Sequence, residues 1–169
     1  MKIIEGLKGV KDLQRKAEDL RGKIERFSAH LSFETPTYSD QKRQVGEWLQ
    51  AHGDILKEIE NLIVRIQKTN LATNVTIEIG GRQITKPITA WIVRRKDLSL
   101  QAKNAWSKLT DRGLKEGQAK QTSGEIMDIK IIRCYDPVER DNMISTYDSE
   151  PTLIDVKLEI INAVTDLIE

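Results

Sequence analysis

The sequence predicts an α+β protein that is mainly α: a long antiparallel helical hairpin, further amphipathic helices and a small three-stranded antiparallel sheet. Three observations carry that expectation. Apolar residues recur at alternating steps of three and four over most of the first 70 residues, the period of helices packed lengthwise. The period then drops to two at Val75, Ile77 and Ile79, and Gly80-Gly81 follows at once, which is the pattern of a β-hairpin. Composition agrees, since 31% charged, 5% aromatic and 38% hydrophobic residues is the usage of elongated helices with much solvated surface. At 169 residues the chain is expected to form one domain, residues 1–169.

Residues 1–70 read as the helical hairpin. Its first arm places Ile3, Val10, Ala17, Ile24 and Leu31 on one line and Leu13, Leu20 and Phe27 beside them. Its second arm, Ser39 to Asn70, carries Val45, Trp48, His52, Ile55, Ile59, Leu62 and Ile66, and Leu49, Leu56 and Ile63 add a third apolar position to each heptad. That stripe is too wide for one neighbour, so the second helix should be clasped from two sides. The link holds Pro36, and Thr37 with Asp40 resembles a variant capping box. A short link implies antiparallel arms, which puts residues whose numbers add to 72 in one layer: Val10 with Leu62, Leu13 with Ile59, Ala17 with Ile55, Ile24 with Trp48, Phe27 with Val45. Leu20 meets His52, a partly buried helix histidine at the seam edge.

Residues 74–85 form the β-hairpin, whose Gly80-Gly81 supplies the positive φ of a tight turn and not a phosphate cradle, because no GxGxxG or P-loop accompanies it. Thr85 then caps a basic helix over 86–112, with Pro87 in its first turn. Trp91 and Trp106 have the spacing of core residues that cover Leu49, Leu56 and Ile63, although tryptophans beside Arg94, Lys103 and Lys108 would also suit base stacking. Residues 113–124, rich in glycine, serine, glutamine and lysine, read as a flexible loop. Residues 126–134 read as the third strand of the sheet. Residues 137–168 read as C-terminal helices: Asp136-Pro137 caps a short one through Met143-Ile144, and Ser149-Glu150-Pro151 restarts the chain as a final helix.

Charge is uneven. Arg82 to Lys120 holds ten Lys/Arg against three acids, whereas Glu125 to Glu169 holds four against eleven, so the two blocks can neutralise each other, within or between subunits. Arg94, Lys103 and Lys108 on the basic helix and Asp155 and Glu159 on the last one are the expected contacts, placed across a subunit boundary. The same basic segment would suit nucleic acid, which is the second reading of its chemistry. Cys134 is alone, no apolar run is long enough for a leader or a membrane span, and a reducing compartment, the cytoplasm or a virion within it, is expected.

No catalytic constellation is present in the sequence. GxSxG, HExxH and GxxxxGK[ST] are absent, two histidines in different layers and one cysteine give neither a zinc site nor a Cys-His nucleophile, and Asp136, Glu139, Asp141 and Asp148 read as helix-start acids. The expectation is a non-enzymatic structural protein without metal or cofactor, a homo-oligomer that also meets other structural proteins.

Several short motifs, taken in order, resemble the septicolysin-like family of bacterial and phage-encoded proteins. They are Ile66-Gln67-Lys68-Thr69-Asn70 with Thr73, Gly81-Arg82-Gln83-Ile84-Thr85, Arg95-Lys96-Asp97, and Ile129-Lys130-Ile131-Ile132-Arg133 with Asp136, across roughly the middle two thirds of the chain. The resemblance implies a bacterial or phage origin, and by the family's name a membrane-active oligomer. Against that, the hairpin strands are shorter than the about 9–11 residues a spanning strand needs. The chain departs from the family at Pro151 and lacks the Asn-Trp ending of its relatives.

Overall fold

The Lys2 amide donates to the Glu5 carboxylate at 2.8 Å, satisfying one of the amides that a helix start leaves without a partner. From there α1 runs Ile3–Phe27 and α2 runs Gln41–Ala72, in a computed structural model that describes residues 1–169. Asp40 rather than Thr37 caps α2, its carboxylate accepting from the Arg43 amide at 3.0 Å. α1 stops short of Leu31, which lies exposed in the link with Phe33. The Ser28 hydroxyl, bonded to the Glu25 carbonyl, marks the stop. The arms are antiparallel, and Phe27, Tyr38 and Trp48 close the linked end as a cluster with ring centroids 5.3–5.6 Å apart. At the other end Gly6 lies against Ile66, and these two numbers also add to 72.

Strands β1 (Asn74–Ile79) and β2 (Arg82–Pro87) form the expected hairpin, with φ of 57° at Gly80 and 74° at Gly81. Val75, Ile77 and Ile79 are buried and the residues between them exposed. Across the strands the Thr76 and Thr85 hydroxyls are 2.7 Å apart, and Gln83 donates to Glu78 at 2.8 Å. Thr85 is therefore a strand residue and not a helix cap. Pro87 ends the strand, and the Ile88 amide donates to the Thr73 carbonyl at 3.0 Å.

The basic helix has three parts. α3 (Ile88–Val93) passes through a π turn (Arg94–Leu98) into α4 (Ser99–Ser107) without leaving helical backbone angles. The wider turn is closed from within, where the buried Ser99 hydroxyl donates to the Arg94 carbonyl at 3.1 Å.

The third strand is not shared with the first hairpin. β4 (Ile126–Ile129) pairs antiparallel with β3 (Gly117–Lys120), in a register that sets Gly117 opposite Ile129 and Lys120 opposite Ile126. The structure thus has two two-stranded sheets in place of one of three strands, and the segment expected as a flexible loop supplies a strand. Closing a few residues between Lys120 and Ile126, with Gly124 at φ 87°, costs far less chain entropy than reaching a strand some forty residues away.

α5 (Pro137–Val164) is continuous, where two helices separated at Pro151 were expected. Pro151 lacks the amide that would reach the Tyr147 carbonyl, a defect that ends most helices. Here Glu150 and Ile154 on either side are fully buried, and that anchoring carries the helix through. Asp136 caps α5 as expected, accepting from the Val138 amide at 2.8 Å.

The chain packs as two compact units. One comprises Met1–Val75, Pro87–Thr89 and Leu158–Glu169; the other comprises Thr76–Lys86 and Ala90–Lys157. In the first, the C-terminal residues lie along the helical hairpin: the Leu167 amide donates to the Met1 carbonyl at 2.8 Å, Ile3 to Thr165 at 3.0 Å, and Ile168 to the Thr69 hydroxyl at 2.9 Å. Leu167 fills the space that a side chain at position 6 would need, with its Cδ1 2.8 Å from where a Cβ would stand. Gly6→Val is expected to lower stability by about 1–3 kcal/mol through overpacking, read as a lower urea midpoint. In the second unit Trp91, Ser99, Glu150 and Ile154 are each fully buried.

Candidate functional site

α2 presents two faces. Trp48, Ile55, Ile59, Leu62 and Ile66 turn toward α1, while Lys42, Gly46, Leu49, Gly53, Leu56 and Glu60 lie along a strip about 100° further round the helix. Leu49 is 56% exposed and Leu56 49% exposed; Ile63, which continues the strip, is half-buried. The expected second clasp of α2 therefore does not close over Leu49 and Leu56. Trp91, expected to cover them, is fully buried with the Lys86 ammonium 5.5 Å from its ring centre, and Trp106 is half-buried in the wall of a cleft.

Gly46 and Gly53 are the features of this strip that sequence reasoning passed over. A glycine inside a helix costs about 0.5–1 kcal/mol relative to alanine. Nothing lies within 4 Å of where a Cβ would stand at either position, so no neighbour in the chain requires the small residue. Their spacing from Leu49 and Leu56 was the available signal. Around them Arg43 pairs with Glu47 at 3.0 Å and Lys57 with Asp54 at 3.5 Å, whereas Lys42 and Glu60, on the strip itself, have no partner in the chain.

In the second unit the basic and acidic blocks meet within one chain. Arg94, on the π turn, forks onto the Glu150 carboxylate, which is 0% exposed, with one of the two bonds at 3.0 Å. The Glu150 carboxylate holds the Arg94 guanidinium above its ordinary value, although partial burial works the other way. Arg95 pairs with Asp155 at 2.6 Å, and Lys103 pairs with Asp148. Of the residues expected in a charged contact between subunits, Arg94, Lys103 and Asp155 are thus occupied inside the chain, and only Lys108 and Glu159 stand exposed without an ion-pair partner. Glu150 went unrecognised because nothing in the local sequence separates a buried acid from its exposed neighbours, and Asp148, read as a helix-start acid, is the exposed partner of Lys103.

Beside Arg94 is a cleft of about 480 Å³ lined by Ile79, Arg82, Ile84, Trp106, Met143 and Tyr147 among others, with the Arg94 guanidinium 5.7 Å from the Tyr147 ring centre. It holds no nucleophile–base pair. Three of the four helix-start acids are separately engaged, Asp136 in its cap, Asp141 with Arg140 and Asp148 with Lys103, while Glu139 lines the cleft.

A third feature ties the β3–β4 segment at its two ends. Asp111 accepts a forked pair from Arg133, at 2.7 and 2.6 Å, and a bond from the Tyr135 hydroxyl at 3.1 Å. Arg133, then Tyr135, hold the Asp111 carboxyl below its ordinary value. A carboxyl depressed on folding contributes stability that is present above its unfolded midpoint and is lost as pH falls through the folded one. The clamp should therefore persist at neutral pH and release only below the ordinary aspartate range. Carbon NMR titration of Asp111 checks this, and Arg133→Ala should move the midpoint back up.

No helix is long and apolar enough to cross a membrane. Comparison with protein families matches residues 10–167 to one described as a family of unknown function (DUF6847). Among solved structures, one titled as the crystal structure of a functionally unknown conserved protein from Corynebacterium diphtheriae is similar over 99% of each chain, at 20% identity and a TM-score of 0.57. At that identity the likeness concerns the fold. Comparison with curated proteins gives no match.

Proposed function

The chain belongs to DUF6847, a family of unknown function, and from its own surfaces we propose that it is a non-enzymatic structural protein that assembles with copies of itself or within a larger particle. One observation carries this reading: Leu49 and Leu56, one heptad apart, stand exposed on a helix whose other face is already packed. Burying a leucine is worth about 1.5–3 kcal/mol, so two per copy drive association when a matching surface is offered. The alternative, polyanion binding by Arg82 to Lys120, draws less support, since Arg94, Arg95 and Lys103 are engaged by acids of the same chain.

Sedimentation equilibrium tests the proposal. The wild type should show a mass above 19.3 kDa that rises with concentration in the micromolar range. Leu49→Ser/Leu56→Ser should shift it to the monomer while leaving helical content and thermal midpoint nearly unchanged, because both residues are exposed in the isolated chain. A wild type that is monomeric throughout that range, with no partner recovered from its native source, would refute it.

A further inference from the structure

We infer that the partner on this strip is a second copy of α2, lying antiparallel across a two-fold axis whose register makes residue numbers add to 102. The inference rests on the self-association proposed above and specifies its geometry. In that register Leu49 faces Gly53 of the second copy and Leu56 faces Gly46, so each exposed knob meets a position without a side chain. The same register sets Lys42 opposite Glu60, the two charges on the strip that have no partner within the chain. A two-fold interface has to be complementary to itself, and here apolar bulk meets empty space and positive charge meets negative in both halves at once. A parallel pairing would instead set Lys42 against Lys42, Glu60 against Glu60 and glycine against glycine, leaving the leucines without sockets. The glycines then have a physical reason: a Cβ at position 46 or 53 would hold the helices apart where the leucines have to enter.

The test exploits a pattern peculiar to this geometry. Lys42→Glu places two repelling carboxylate pairs in the dimer, Glu60→Lys places two repelling ammonium pairs, and each variant alone should associate about tenfold more weakly than wild type at low salt. Mixed in equal amounts, the two should associate with each other as well as wild type does, because every cross-pair is then of opposite sign. The double variant carrying both changes should recover likewise. Gly53→Leu, which fills a socket where no atom of the chain lies within 4 Å of the Cβ position, should weaken association by a similar factor without lowering the thermal midpoint.

Sedimentation equilibrium of the singles, the mixture and the double reads all of these, with circular dichroism confirming the fold. If the wild type associates but the mixture does no better than either single, the register is overturned while self-association stands. If the wild type does not associate at all, the register and the self-association it rests on fall together.

Discussion

Arg94→Met should unfold at a markedly lower urea concentration than wild type, with a loss of about 3–5 kcal/mol, because it strands the Glu150 carboxylate where no water reaches it. The arginine comes from the π turn between α3 and α4, and the acid from α5 just before Pro151. Their forked geometry offsets the desolvation of both ions only while both are present. Arg94→Met/Glu150→Met, which removes the two charges together and fills the volume with apolar atoms, should therefore be far more stable than the single variant and close to wild type. If the double variant is no better than Arg94→Met, the loss came from packing, and the ion pair is not what Arg94 contributes.

Trp91→Ala should cost a similar amount, about 3–5 kcal/mol, since the indole is 0% exposed and its removal leaves a void that surrounding side chains fill only in part. The Lys86 ammonium over the ring accounts for at most a small share: cation–π contacts at partly exposed sites are worth about 0.5–1 kcal/mol. Lys86→Met should thus cost about 1 kcal/mol or less, and Trp91→Phe should fall between the two. Urea midpoints followed by circular dichroism separate them. A Trp91→Ala variant as stable as Lys86→Met would mean that the site collapses to fill the void.

What the sequence made legible follows from how local each signal is. The heptads of α1 and α2 and the antiparallel meeting of the two helices depend on residues three or four apart, as does the Asp136 cap. The alternation of Val75, Ile77 and Ile79 with the two glycines after it is equally local. Where the reading failed, the deciding partner lay elsewhere in the chain. Pro151 looked like a break because the burial of Glu150 and Ile154 is invisible from their neighbours. Thr85 looked like a helix cap because its bond to Thr76 depends on pairing. Residues 126–134 looked like a third strand because the weak β-propensity of Gly117 to Lys120 concealed the nearer partner, and the strand that forms stops at Ile129. On α2, the apolar surplus at Leu49 and Leu56 was readable, but the expectation that Trp91 and Trp106 cover it required knowing where those side chains go. The charge blocks were read as complementary, within or between subunits, but the contacts of Arg94, Lys103 and Asp155 placed across a subunit boundary are made inside the chain.

The π turn at Arg94–Leu98 also bears on which changes of length this protein tolerates. A turn closed from residue i to i+5 holds one residue more than an α turn, so it is equivalent to an insertion absorbed in place. Deleting any one residue of that turn would restore an uninterrupted α-helix and improve the local hydrogen bonding, yet it would rotate everything on one side by about 100° relative to the other. Lys103 would swing away from Asp148 and Trp106 out of the cleft wall. Homologous chains should therefore keep the spacing between Trp91 and Trp106 even where the residues between them vary, and gaps in their alignment should collect in the β3–β4 segment.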